Sequence, residues 1–397
     1  MKTIVYFGVP ALGHVSPSLP YIAGLVARGW QVIYYTTPDF ESRIKDTGAK
    51  FRSYPPSAQP DEIVQLKNDL TDGQHLARAW TIALKISRTV MPDLLEEVSS
   101  LSPQLIIHDS TNMMGRFAGH FLNIPAIAFH AILPVLHPFD KTARLYNRFF
   151  ILPLMLNFRD LLTFYKEKRK FKKAFSLSKL SIFSLSFNLE KLNLFAFNQP
   201  LLPAKAAAQE YFFAGPLDTL VNMKTVKRIP LPSRPFIYVT LGTIAKDEEF
   251  IQAVLDQLAD LGADVIFALG DNPLPKSCPD NVFLYPFVNQ QEILPFAKLV
   301  VSTGGLNTIN HAIKAKIPLL IYPSQGEQKL NAERVESLGL GKRLKSLNHL
   351  KSAVIAALEQ DFDIKPDLYQ DLTALRLEEA LDRTEKYIKA CSTENEK

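Results

Sequence analysis

A glycine turn between two apolar runs has the clearest chemistry in this sequence. The apolar run 299–302 leads into Gly304-Gly305, a helical pattern follows, and a second apolar run spans 319–322. A glycine turn that opens a helix presents unpaired backbone N–H groups and the positive end of the helix dipole. The spacing therefore predicts a strand, turn and helix that bind a diphosphate.

A polar pair, Glu327-Gln328, follows the second apolar run. Ligands of open α/β sheets lie at the carboxyl ends of strands, where this pair is predicted to fall. A carboxylate and an amide together can bind two or three neighbouring hydroxyl groups. The alternative interpretation is that the pair only caps the helix predicted over 330–338.

Strand and helix patterns alternate along most of the chain, which predicts parallel sheets covered by helices on both faces. Helical spacing is clear over 19–27 and 372–390. The predicted strands are 4–9, 31–35, 105–108, 125–129, 236–241, 264–269, 282–285, 299–302 and 319–322.

Length and proline content predict two domains. A chain of 397 residues is long for one core, and prolines cluster between Pro200 and Pro235. We expect an N-terminal Rossmann-like domain over 1–202, a linker over 203–234 and a C-terminal Rossmann-like domain over 235–371. A final helix and tail occupy 372–397.

Composition favours a cytoplasmic globular protein. Apolar residues make up 47% and charged residues 21%, and the apolar runs are shorter than the ~20 residues that span a bilayer. The first residues lack a signal-peptide cleavage pattern, and Cys278 and Cys391 predict neither a disulfide framework nor a metal site. The segment from Lys141 to Lys173 contains ten Lys or Arg and only two acidic residues. No nucleic-acid-binding module surrounds it.

The order of motifs in the second half resembles the donor-binding segment of the macrolide and UDP-glucosyl/glucuronosyl transferase superfamily. The family pattern is His-Gly-Gly-x-Asn-Ser-x-x-Glu, then Pro, then Asp/Glu-Gln, and it matches 303–311, Pro318 and Glu327-Gln328. The resemblance implies the GT-B fold, with two Rossmann-like domains facing across a cleft. It also implies inverting transfer of a hexose from a UDP- or dTDP-sugar to a hydroxyl of a small, mostly apolar acceptor.

The resemblance assigns donor-binding roles to residues of the second domain. Phe287 stands where the family has a Trp that stacks on the base, and Gln290 where a Gln binds the base edge. Thr243 and the turn residues lie at the phosphates, and Glu327-Gln328 bind the sugar hydroxyls. The implied set is Thr243, Phe287, Gln290, Thr303, Gly304, Gly305, Asn307, Thr308, His311, Glu327 and Gln328.

Two positions depart from the family pattern. Thr303 replaces a His that donates to the diphosphate, so a hydroxyl donor remains but a positive charge is lost. His311 replaces a Glu that accepts both ribose hydroxyls, and a neutral imidazole has one acceptor nitrogen. One hypothesis is a deoxyribose donor such as a dTDP-sugar; the other is retained use of UDP-sugars.

A second resemblance concerns Gly13-His14-Val15-Ser16-Pro17, on the predicted loop after the first strand, which matches the family's Gly-His-x-x-Pro. The family His is the general base, and a pKa near 6.5 suits that role. Asp109, at the end of another strand, is the expected partner that orients the imidazole. The alternatives are a helix-capping role for each residue, or His108 as the base.

The resemblance implies no resident cofactor and no metal, and it leaves a monomer or a homodimer open. A catalytically silent homologue that binds nucleotide or activates a partner transferase is the alternative function. An epimerase on the same fold would need acidic groups around the sugar.

The acceptor side is the least determined by sequence. Apolar residues over 149–165 precede a basic run at 166–173. Three interpretations stay open: an acceptor pocket with a lid, a weak peripheral contact with an anionic membrane surface, and an amphipathic helix with solvated lysines.

Overall fold

The computed structural model describes residues 2–54, 75–133, 157–177, 189–202, 211–221, 228–242, 247–324 and 326–395. These residues form two compact units. One contains 1–197, 203–217 and 375–397, and the other contains 198–202 and 218–374.

The first unit is built on a seven-stranded, all-parallel sheet. Its order is β3-β2-β1-β4-β5-β6-β7. The strands are β1 (Thr3–Phe7), β2 (Gln31–Thr36), β3 (Lys50–Ser53), β4 (Leu105–Asp109), β5 (Ala126–His130), β6 (Leu192–Phe195) and β7 (Tyr211–Phe213). Strand β7 lies inside the range that the sequence assigns to a linker.

Among the described residues, six α-helices accompany this sheet. They are α1 (Leu12–Ala27), α2 (Glu41–Lys45), α3 (Leu76–Ser100), α4 (Met113–Leu122), α5 (Phe158–Ala174) and the C-terminal α12 (Leu377–Asn395). Helix α12 packs on α1, and the hydroxyls of Tyr21 and Thr384 form a hydrogen bond of 2.5 Å between the two helices. Just after α1, Trp30 Nε1 donates to Glu385 of α12.

The second unit contains a six-stranded, all-parallel sheet in the order β10-β9-β8-β11-β12-β13. Its strands are β8 (Phe236–Thr240), β9 (Asp264–Ala268), β10 (Val282–Tyr285), β11 (Ala297–Ser302), β12 (Leu319–Ile321) and β13 (Gly341–Arg343). Its helices are α6 (Glu248–Gln257), α7 (Gln290–Ile293), α8 (Leu306–Lys314), α9 (Gly326–Ser337), α10 (Leu350–Glu359) and α11 (Pro366–Thr373).

Two helix predictions were wrong at their boundaries. Helix α1 begins at Leu12, seven residues before the predicted start, and contains Pro17 and Pro20. Ser18 Oγ donates to the carbonyl of Val15, which satisfies one acceptor near the prolines. The helix predicted over 372–390 is two helices, because the chain leaves helical geometry at Ala374.

Candidate active site

His14 and Asp109 are in contact. His14 Nδ1 lies 2.8 Å from Asp109 Oδ2. Asp109 is the last residue of β4, and His14 lies in the first turn of α1, not on the loop that the sequence predicted. Strands β1 and β4 are neighbours in the sheet, so the residues that follow their carboxyl ends meet. The pair therefore occupies the position where open α/β sheets bind ligands.

Thr111 holds the other oxygen of the Asp109 carboxylate. Its backbone N–H and its hydroxyl both donate to Oδ1, at 2.9 and 2.7 Å. Burial by itself raises the pKa of Asp109, but the charge and hydrogen bond of His14 and the two bonds from Thr111 outweigh it and lower that pKa. Asp109 is thus a buried, ionised carboxylate.

The alternatives for this pair do not match the geometry. The cap of α4 is Asn112, whose side chain accepts from the backbone of Gly115, so Asp109 is not the capping residue. His108 lies on the other face of β4. Its Nε2 contacts Glu190 at 3.1 Å and its Nδ1 contacts the carbonyl of Asp109.

The loop before His14 is held by a second set of polar contacts. Tyr54 and Asn112 both donate to the carbonyl of Gly8, each at 3.0 Å. A side chain at Gly8 would collide with the Tyr34 ring, at 2.5 Å from a built Cβ. The path from β1 into α1 is therefore determined by close packing.

In the second unit, the Gly304-Gly305 turn opens α8 as predicted. Gly304 has φ of 93°, and a side chain there would meet Ile321 at 2.7 Å, so glycine is required for both reasons. Gly305 is the exposed N-cap of α8, and no side chain caps the helix at this residue. Asn307 lies in the first turn. The helix terminus is suited to an anion.

The Thr303 hydroxyl makes its hydrogen bonds within the protein. Its side chain is buried, and its hydroxyl donates to the carbonyl of Leu241 at 3.1 Å. It accepts from Gln328 Nε2 at 3.3 Å. The loop that follows β8 thus comes close enough for its carbonyl to accept the hydrogen bond of Thr303, and the phosphate contact of Thr303 stays a prediction.

Gln328 is also buried within the protein. Its Oε1 accepts from the backbone and the hydroxyl of Ser324, each at 3.0 Å, while its Nε2 donates to Thr303. Its assignment to sugar hydroxyls is therefore not supported. Glu327, in the first turn of α9, is half-buried and accepts from Asn331 at 3.3 Å.

The predicted base-binding segment has the expected exposure. Phe287 is 42% exposed, which leaves its ring accessible. Gln290 donates to the hydroxyls of Tyr238 and Thr308, each at 3.2 Å, so it is anchored beside α8. The side chain of Asn289 caps α7 by accepting from the backbone N–H of Gln291.

His311 contacts an acid that the sequence did not indicate. His311 Nε2 lies 3.4 Å from Asp218 Oδ2, and Asn310 donates to the other oxygen of Asp218 at 3.0 Å. Burial raises the pKa of Asp218 to about 7. Burial, and then the charge of Lys314, lower the pKa of His311 to about 4. Near neutral pH the imidazole is uncharged, and the contact is not a full ion pair.

Two sequence assignments remain outside these observations. Thr243 lies outside the described residues, as does the part of the acceptor segment at 149–156. Among described residues, no group of three or more His, Cys, Asp or Glu is arranged to hold a metal. In the same residues, every helix is too short or too polar to cross a bilayer.

Sequence reasoning missed Thr111 and Asp218. A Thr two residues after a strand-terminal Asp was a usable signal, because Ser and Thr often donate to a nearby carboxylate. For Asp218 the sequence contains no such signal.

Known proteins resemble this chain over most of its length. Residues 252–380 match the family model of the erythromycin biosynthesis protein CIII-like C-terminal domain. The NDP-glycosyltransferase YjiC of Bacillus licheniformis is 29% identical over 372 residues, which is 90% of this chain and 89% of that protein. The glycotransferase of kitacinnamycin has a TM-score of 0.78 at 21% identity, over 98% of this chain and 99% of that one. The spinosyn rhamnosyltransferase SpnG, complexed with thymidine diphosphate, has a TM-score of 0.63 at 16% identity, over 91% and 92% of the two chains.

Two Rossmann-like domains with parallel sheets, together with these structural neighbours, define the GT-B fold. The chain is similar to members of the macrolide/UDP-glycosyltransferase superfamily.

Proposed function

We propose that this protein is an inverting glycosyltransferase that moves a hexose from a nucleotide diphosphate sugar to a hydroxyl of a small, mostly apolar acceptor. The observation that carries the proposal is the 2.8 Å contact between His14 Nδ1 and the buried carboxylate of Asp109. A histidine with one nitrogen held by a carboxylate has the tautomer and orientation of a general base.

In the proposed reaction, His14 Nε2 takes the proton of the acceptor hydroxyl. The oxygen attacks the anomeric carbon, the bond from that carbon to the diphosphate breaks, and the nucleotide diphosphate leaves. Asp109 stays ionised and stabilises the imidazolium. The N-terminus of α8 at Gly305 stabilises the negative charge on the departing diphosphate.

The reaction is proposed to need no metal ion. The N-terminus of helix α8 would supply partial positive charge at the phosphates. The resemblance to the superfamily also implies no bound metal. Turnover in the presence of EDTA should equal turnover without it, and loss of activity that Mg²⁺ or Mn²⁺ restores would contradict this part of the proposal.

Substitution of His14 tests the base. His14→Ala should lower kcat by about 10²–10⁴-fold, the usual contribution of a general base, while nucleotide affinity stays unchanged. The assay is transfer to a generic phenolic acceptor across a panel of nucleotide sugars. His120→Ala, the same change at an exposed helix position, is the control. Equal turnover in His14→Ala and the wild type would exclude the assignment.

For the donor, we propose a thymidine diphosphate sugar over a uridine diphosphate sugar. His311 stands where the family has a Glu for the ribose hydroxyls, and its Nε2 is turned toward Asp218. A deoxyribose lacks the 2′-hydroxyl, so it loses less from this change. The thymidine diphosphate in the spinosyn enzyme is consistent with this donor class.

Titration with dTDP and UDP side by side tests the donor. We expect tighter binding of dTDP, and His311→Glu together with Asp218→Asn should shift the preference toward UDP. Tighter binding of UDP by the unaltered protein would exclude the thymidine proposal without affecting the assignment of His14.

A silent homologue is the second candidate. It is favoured by Thr303, whose hydroxyl donates to Leu241, so that one usual phosphate contact is absent. Nucleotide binding with no transfer or donor hydrolysis for any sugar in the panel would favour this candidate.

A further inference from the structure

Helix α5 is fixed to the first unit by one face. Phe164 and Phe171 are fully buried, and their rings pack against Trp80 of α3 and Phe117 of α4, with centroids 5.8 and 4.8 Å apart. The opposite face of α5, which we call its outward face, is therefore held in a fixed position.

Both acids of α5 are turned away from that outward face and paired. Asp160 contacts His75 Nδ1 at 3.0 Å. Glu167 is buried and accepts from Arg88 at 2.9 Å and from Lys170 at 3.1 Å. The outward face of α5 consequently contains no carboxylate, although the helix has seven Lys or Arg and two acids.

The outward face combines exposed apolar groups with exposed cations. Phe158, Leu162 and Tyr165, at helical spacing, are 63%, 47% and 46% exposed. No ion pair links the exposed Arg159, Lys166, Arg169 or Lys173 to an acid in the described part of the chain. The members of the outward face of α5 are Phe158, Arg159, Leu162, Tyr165, Lys166, Arg169 and Lys173.

We propose that the outward face of α5 binds an anionic lipid surface. Exposing three large apolar side chains on one helix costs free energy in water, and the face of a bilayer buries them. The cations are attracted to acidic headgroups at the same depth. A nucleic acid would satisfy the cations but would leave the spaced apolar groups without a role, so the lipid is favoured. This proposal does not depend on the proposed transfer reaction.

Vesicle co-sedimentation of the full chain tests the proposal. The protein should sediment with phosphatidylcholine vesicles that contain phosphatidylglycerol, should not sediment with phosphatidylcholine alone, and should be released by high salt. The variant Lys166→Gln, Arg169→Gln, Lys173→Gln should bind on the order of 100-fold more weakly, since each cation near the surface contributes about fivefold.

Two further variants separate lipid binding from simple charge. Phe158→Ser with Leu162→Ser keeps every charge and should also weaken vesicle binding. Lys298→Gln, Lys345→Gln, Lys351→Gln removes the same charge from exposed positions of the second unit and should bind like the wild type. Thermal melts establish that each variant is folded.

Several outcomes would overturn the proposal. These are no sedimentation of the wild type with acidic vesicles, equal loss in the control triple variant, or no effect of the apolar pair. Binding to a DNA duplex that matches vesicle binding and ignores Phe158 and Leu162 would point to a general polyanion site. A concentration-dependent dimer abolished by Phe158→Ser with Leu162→Ser would show that a second copy covers this face.

Discussion

At the scale of single residues, Thr111 completes the hydrogen bonding of Asp109 in the proposed catalytic pair. The backbone N–H and the hydroxyl of Thr111 both donate to Asp109 Oδ1, while His14 Nδ1 contacts Oδ2. Each hydrogen bond to a carboxylate favours its charged form. Thr111 is therefore a positioning residue that acts through Asp109.

Thr111→Ala should weaken catalysis by moving the pKa of Asp109 upward. Loss of one bond to a charged group is worth about 1.5–3 kcal/mol, and the backbone bond remains, so we expect roughly a tenfold lower kcat. The acidic limb of the pH–kcat profile should move to higher pH. Thr111→Ser, which keeps the hydroxyl, should restore both. A variant with a normal profile would show that Thr111 has only a structural role.

The raised pKa of Asp218 predicts how the stability of the fold depends on pH. Its folded-state pKa of about 7 lies above the ordinary value of 3.8. Its contribution to the free energy of unfolding is therefore fully present below pH 3.8 and is lost as the pH rises through about 7. His311 acts in the opposite direction: because burial lowers its pKa to about 4, stability falls as the pH drops below 6.5.

Asp218→Asn should remove the first of these effects. An amide resembles the protonated carboxyl and still accepts from Asn310. The difference in Tm between variant and wild type should increase from pH 5 to pH 8 in favour of the variant. Asp361→Asn, at an exposed position, controls for loss of one negative charge. A Tm difference that is constant across this pH range would contradict the role assigned to Asp218.

At the scale of elements, α1 and α12 show that helical spacing in the sequence predicts where a helix lies but not where it begins. Proline is disfavoured inside helices because it lacks an N–H, yet α1 contains Pro17 and Pro20 and begins seven residues before the spacing that predicted it. Packing against α12 supports the C-terminal half of α1, where Tyr21 and Gly24 lie. A side chain at Gly24 would lie 2.6 Å from Leu381, so the two helices are in close contact there.

Leu381→Ala should destabilise the first unit by about 2–5 kcal/mol, as for other fully buried leucines. Leu381 is almost wholly buried against α1. The same change at Leu375, which is 41% exposed, should cost much less. The measurement is denaturant unfolding followed by circular dichroism, and equal shifts for the two variants would contradict the packing of α12 on α1.

At the scale of the whole molecule, the two units are expected to respond differently to nucleotide. The Gly305 terminus, Phe287 and Gln290 all belong to the second unit. A ligand that binds the native state slows local opening around its site. Hydrogen exchange with dTDP should therefore protect the segments 285–291 and 303–311 and leave α3 of the first unit unchanged. Protection confined to α3 would exclude the donor site.

Much of this protein was determined by local sequence. The nine predicted strands coincide with observed strands to within about two residues at their ends, because buried parallel strands are continuous apolar runs. Strands β3, β6, β7 and β13, at or next to the edges of their sheets, were missed. Polar residues interrupt β3, β6 and β13, and β7 lies in the proline-rich range assigned to a linker. The glycine turn at Gly304 has a local signature, and the resemblance to the superfamily singled out His14 and Asp109.

What the tertiary structure decided is the direction in which the polar side chains of the donor site point. Thr303, Gln328 and His311 have the types and spacing of ligand-binding residues. The partners of Thr303 and His311, Leu241 and Asp218, come from the loop after β8 and from a turn near the start of the second unit, whereas Ser324 lies four residues before Gln328. A buried hydroxyl or amide must find a hydrogen-bond partner, and whether a loop 62 residues away supplies it depends on the packing of the whole unit and not on the local sequence.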